Sequence, residues 1–222
     1  MKWKGLLLGV SMLLFGSNLS AVNAAELQSG ESSVTANSSH QTIKKVSQAN
    51  FLSSNQAQKT IYKTSEKVIN ALKYNDMERV GKLVHPTKGL RFSPYTYVDV
   101  KHDLIFPAKQ LRMLSLSNKV YRWGTYDGSG TPIKLTFTQY YRKFVYDRDY
   151  ARTKHVSYNQ VIKTGNTVNN IRSVYPGSIV VEYHVSGTRK YSGMDWSSLR
   201  LVYQKKGNHW YLVGIVHDQW TI

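Results

Sequence analysis

An α+β fold is predicted by three features of the 222-residue chain. Helical apolar periodicity occupies two early stretches and one in the middle, whereas strand-like runs dominate the C-terminal third, and this order is that of helices packed on a largely antiparallel sheet. A hydrophobic fraction of 41% with 12% aromatic residues supplies the apolar surface for a core, so disorder throughout is excluded.

The chain opens with Met1-Lys2-Trp3-Lys4-Gly5, followed by the short apolar block Leu6–Gly16 and the small residues Ala21-Val22-Asn23-Ala24-Ala25. That order predicts a signal peptide over residues 1–24, with Val22-Asn23-Ala24 as the cleavage site; the other reading is an uncleaved N-terminal anchor. The expected location is therefore secreted or extracellular. No later apolar run reaches the roughly 20 residues needed to cross a bilayer. Residues 25–55 are rich in Ser, Gln, Asn, Thr and Ala and read as a flexible linker, because they bury too little to offset their ordering entropy. Residues 56–222 then suit a single domain.

Within it, Ala57, Ile61, Val68 and Leu72 share one face of a predicted helix over Gln56–Tyr74. A second, short helix follows, with Asn75 as N-cap, Glu78 completing a capping box and Val80, Leu83 and Val84 as its stripe; His85-Pro86 ends it. Leu90–Pro94 and Tyr95–Val100 read as extended, and Tyr126–Pro132 as a turn-rich loop. One further helix is the clearest local signal: Phe137, Tyr140, Tyr141, Phe144 and Val145 form an aromatic stripe behind the capping-box pair Thr136 and Gln139. Strands are predicted at Ser178–Val185, Leu199–Lys205 and Trp210–Trp220, the last two joined as a hairpin by Lys206–His209.

The run from Asn75-Asp76 through His85-Pro86 to Gly89-Leu90-Arg91-Phe92-Ser93-Pro94, with the ending Leu199–Trp220, resembles secreted bacterial domains of the NTF2-like superfamily. The resemblance spans most of residues 56–222 through element order and has no diagnostic motif. It implies a helix pair on a curved antiparallel sheet forming a cone that can hold a pocket. It implies no particular activity, since that fold serves isomerases, dehydratases, binding modules and accessory domains alike.

Candidate chemistry centres on four residues. Alternation places Glu182 and His184 on one face of their strand, close enough for a carboxylate to orient an imidazole as in general acid–base catalysis. In the last strand, Trp210, Leu212, Gly214, Val216 and Asp218 are expected on one face and Tyr211, Val213, Ile215, His217 and Gln219 on the other. His217 and Asp218 therefore point oppositely, and either could join Glu182 and His184 inside the cone. The competing reading has Glu182 and His184 facing water on an amphipathic strand. No metal site is predicted: no His pair has helical spacing, and the absence of cysteine removes thiolate ligands, disulfides and Cys nucleophiles. Gly128-Ser129-Gly130 lacks the nucleophile-elbow spacing, and no phosphate-cradling or cofactor fingerprint occurs.

Thirty Lys and Arg against 13 Asp and Glu give a formal charge of +17. On an exported chain the expected partners are anionic cell-wall polymers or lipid headgroups, with a small-molecule ligand in the cone; nucleic acid is not expected, since export removes the chain from it. Two readings follow: a non-enzymatic binding or accessory module retained at the envelope by its basic surface, or a hydrolase, isomerase or lyase using a carboxylate–His pair.

Overall fold

The computed structural model describes residues 51–221. The predicted signal peptide and nearly all of the predicted linker lie outside the described residues. Helix α1 spans Ser54–Lys73. It starts two residues earlier than the apolar stripe announces, because Ser53 and Gln56 form a capping box in which the Gln56 backbone N–H donates to Ser53 Oγ and Gln56 Oε1 accepts from the Ser53 N–H at 3.0 Å. Residues 53–55, assigned to the linker by composition, are thus the cap and first turn of this helix. Helix α2 (Met77–Gly81) is capped by Asp76, whose carboxylate accepts from the Arg79 N–H at 2.9 Å. Asn75, expected as the cap, instead takes a left-handed φ of 51° and closes the end of α1.

The chain continues through β1 (Leu90–Ser93), β2 (Leu104–Phe106), α3 (Leu111–Leu116), β3 (Val120–Thr125), β4 (Pro132–Thr136), α4 (Phe137–Phe144), β5 (His155–Tyr158), α5 (Ile171–Val174), β6 (Ile179–Val185), β7 (Ser197–Lys206) and β8 (His209–Gln219). Tyr95–Val100 is not a strand. It belongs to an irregular connection whose turn is closed when the Asp99 N–H donates to the Asp103 carboxylate at 3.0 Å. Strands β3 and β4 pair around the turn-rich loop as a separate two-stranded ribbon. Neither α3 nor α5 carries a periodic stripe long enough to be read from sequence.

Six strands form a curved open sheet in the order β2-β1-β8-β7-β6-β5. It is mixed, not antiparallel throughout, because β1 lies parallel to β8, with Phe92 opposite Ile215. Pairing the first strand of the domain with its last is a non-local choice that no sequence window contains.

One face of the sheet carries Phe92, Val181, Leu199, Leu201, Leu212 and Ile215 against Ile61, Val68 and Leu72 of α1 and the aromatic stripe of α4. Trp123 stacks on Tyr140 at 3.9 Å between ring centroids, and Phe92 meets Phe106, Trp123, Phe137 and Tyr140 edge-to-face. Rings thus fill the space between helices and sheet. The opposite face holds a smaller cluster of Val98, Ile171, Tyr175, Val202, Val213 and Val216. Strict alternation in β8 fails at one point. Tyr203 pairs with Leu212 and Val202 with Gly214, so Val213 is bulged, and Leu212 and Ile215 reach the same face. From Gly214 onward alternation holds.

Candidate functional site

Strands β6, β7 and β8 carry polar clusters on both faces. On the face away from α1, the register sets Glu182 opposite Arg200, and Ser198 opposite both His184 and Asp218. Arg200 Nε donates to Glu182 Oε2 at 3.1 Å, Nη2 to Glu182 Oε1 at 3.1 Å, and Nη1 to Asp218 Oδ2 at 2.8 Å. Ser198 Oγ donates to Glu182 Oε1 at 2.8 Å. Glu182 is 0%, Arg200 1% and Asp218 0% exposed, so all three are sealed from water.

The seal is the loop between β5 and α5. The Ile162 N–H donates to Glu182 at 3.1 Å, and Arg200 Nη2 donates to the Lys163 carbonyl at 2.7 Å. Gly165 sits so close to β8 that a Cβ there would lie 2.9 Å from the Gln219 carbonyl oxygen and 3.0 Å from Asp218 Oδ1. Gly165→Ala is expected to lose about 1–3 kcal/mol of stability through this overlap and to loosen the loop backbone enough for trypsin to cut after the already exposed Lys163. Urea titration and limited proteolysis measure both, and an unchanged cleavage pattern would contradict the docking of the loop.

Glu182 and His184 do share a face. They do not face water, because the loop covers Glu182 and Trp196 packs beside His184. With the Ser198 proton on Glu182, His184 Nδ1 is the donor to Ser198 Oγ at 2.9 Å, which leaves Nε2 as an acceptor. Burial lowers the His184 pKa despite the opposing pull of Glu182, and burial raises that of Asp218 against the pull of Arg200.

His217 is on the other face and joins none of these. Its Nε2 lies 3.0 Å from Ser197 Oγ and 3.1 Å from Asp147 Oδ1, while Tyr150 donates to Asp147 at 2.6 Å. A Ser–His–Asp relay needs the hydroxyl on one ring nitrogen and the carboxylate on the other. Here both meet Nε2, and Nδ1 is buried with no partner among the described residues. This cluster is a buried polar knot, not a nucleophile and its base.

Sequence reasoning missed Arg200 and Ser198. A signal was present: an arginine inside the apolar run Leu199–Val202, in a strand flanked by strands that each contribute a carboxylate on the matching face.

The open concavity lies elsewhere. A cleft of about 770 Å³ runs between the β1–β2 connection and the β3–β4 ribbon, lined by Tyr95, Tyr97, Asp99, Lys101, Asp103, Arg122, Tyr126 and Asp127. Asp103 forms part of its wall and accepts from Ser93 Oγ at 2.5 Å; burial pushes its carboxyl up to about 7. Asp99 is held below the usual carboxylate range: burial works against this, but the ring of His102 at 2.7 Å and the N–H groups of Lys101 and His102 prevail. Asp127 accepts from the Thr221 hydroxyl. A second, similarly open cavity of about 250 Å³ is bounded by the β5–α5 loop and the start of α5, with Arg200 and Val180 from the sheet contributing to its lining.

The raised Asp103 pKa has a definite sign. Between the unfolded value of 3.8 and about 7 the folded state holds a proton that the unfolded state has lost, so stability falls as pH rises through that window. Relative to Asp103→Asn, the wild-type chain is expected to lose a few kcal/mol between pH 4 and pH 8, at about 1.36 kcal/mol for each pH unit that separates the folded from the unfolded pKa. Denaturant titrations at both pH values measure this, and a constant difference would refute a buried, titrating Asp103.

Comparison with protein-family models, with curated proteins and with solved structures returns no match. The fold and the two clusters therefore define the chain by geometry alone: an α+β domain with an internal ion-pair clamp and an external polar–aromatic cleft.

Proposed function

We propose that this chain is an exported, non-enzymatic binding module with an NTF2-like cone, held at a cell envelope by its basic surface and taking its ligand in the cleft beside Tyr95, Tyr97 and Tyr126. The single observation that carries this reading is the division of labour between sites. Glu182 and Asp218 are occupied by Arg200 out of reach of water, whereas the cleft displays rings and fixed polar groups to solvent. Catalysis by a carboxylate–His pair requires the pair to meet a substrate, and His184 lines neither cavity described above; the pair that does line the cleft, Asp99 with His102 at 2.7 Å, has its carboxylate held by the Lys101 and His102 N–H groups of its own turn. Support for the cone comes from α1 and α4 packing on one face of the curved sheet. No helix among the described residues is long and apolar enough to cross a membrane.

Salt elution tests the retention. The chain is expected to bind isolated cell walls at low ionic strength and to be released in molar salt, where the Debye length is roughly 3 Å. Failure to bind at low salt would refute the proposed function.

A further inference from the structure

We infer that the cleft between the β1–β2 connection and the β3–β4 ribbon takes a neutral, polyhydroxylated ligand, a segment of uncharged oligosaccharide. This deepens the binding reading above and rests on it. Charge is the first argument. The carboxyls of Asp99, Asp103 and Asp127 are matched in number within the cleft by Lys101, Arg122 and the ring of His102, although the chain as a whole carries +17. A polyanion is drawn to the exterior but meets carboxylates in the cleft, and a cation meets the two basic side chains. Neither has net attraction there.

Lining chemistry is the second. An apolar ligand would leave these charged groups desolvated and unpaired, at a cost that removes affinity. Hydroxyl groups donate to carboxylates and accept from Arg or Lys, so vicinal hydroxyls satisfy both kinds of lining group at once. Ring placement is the third. Tyr97, 56% exposed at the cleft, presents a ring to the C–H faces of a sugar, while Tyr95, buried against Phe144, fixes the wall. A volume of about 770 Å³ accommodates more than one sugar ring and falls within the usual range of about 300–1,000 Å³ for small-molecule sites.

The test is calorimetric titration of the full chain with cellotetraose, chitotetraose and, as an anionic control, tetragalacturonate, at about 20 mM and about 500 mM salt. At least one neutral tetrasaccharide is expected to bind with an affinity that changes less than about twofold between the two salt concentrations. Tyr97→Ala, at an exposed ring whose removal leaves the core intact, and Arg122→Gln should each weaken that binding by about tenfold or more. No binding of either neutral probe at millimolar concentration, or binding indifferent to both substitutions, overturns the inference. Salt-sensitive, Tyr97-dependent binding of tetragalacturonate alone also overturns it, yet leaves the binding-module reading standing. Wall retention at low salt, measured in parallel, reads that proposed function independently.

Discussion

Arg200→Met is expected to lower the stability of the domain by about 3–5 kcal/mol, equivalent to a fall in Tm of roughly 10 °C. The guanidinium is the shared partner of Glu182 and Asp218, and its loss strands two carboxylates that have no access to water. Much of the loss comes from those uncompensated charges, since a buried ion pair is itself only weakly favourable against an apolar replacement. The triple variant Glu182→Leu/Arg200→Met/Asp218→Leu is therefore expected to recover a large part of the Tm. It should not recover the loop, whose Ile162 N–H and Lys163 carbonyl lose their partners, so trypsin should cut at Lys163 in a folded protein. A loss below about 1 kcal/mol for Arg200→Met would show that the carboxylates escape to water and that the clamp is not sealed.

Phe92→Ala carries the second large effect, an expected loss of about 3–5 kcal/mol. This ring is fully buried and meets four others edge-to-face, joining strand β1 to the β3–β4 ribbon through Trp123 and to α4 through Phe137 and Tyr140. A cavity at that point removes contacts from three elements simultaneously, and close packing gives the neighbours little room to collapse inward. Phe92→Leu, which refills part of the volume, should cost markedly less. Chemical denaturation of both variants decides it: equal losses would mean that edge-to-face geometry, not volume, dominates the site.

Local pattern made much of this fold legible. The aromatic stripe of α4 and its capping pair Thr136 and Gln139 were readable because all their partners lie within eight residues, and the structure places both as expected. The face shared by Glu182 and His184, and the opposition of His217 and Asp218, followed from the two-residue period of a strand. What lay across from them did not. Arg200 reaches Glu182 only through the β6–β7 register and Asp218 only through the β7–β8 register. The bulge at Val213 shifts the first half of β8 relative to the second; the neighbouring Gly214, an isolated glycine inside a strand run, is its one local signal, and the strict alternation read for the strand passes over it. Asn75 and Asp76 are both competent caps, and the backbone assigned the role to Asp76 by turning Asn75 left-handed.

Periodicity and capping are local interactions, and they were enough to establish the class of the domain, its strongest helix, its terminal hairpin and the face on which each candidate side chain lies. The folded chain alone reveals that the carboxylates are clamped by Arg200 beneath a loop, that β1 runs beside β8, and that the accessible cleft is assembled from the β1–β2 connection and the β3–β4 ribbon. Those outcomes depend on register and on contacts between residues tens of positions apart, where burial and charge pairing act across the fold instead of along the chain.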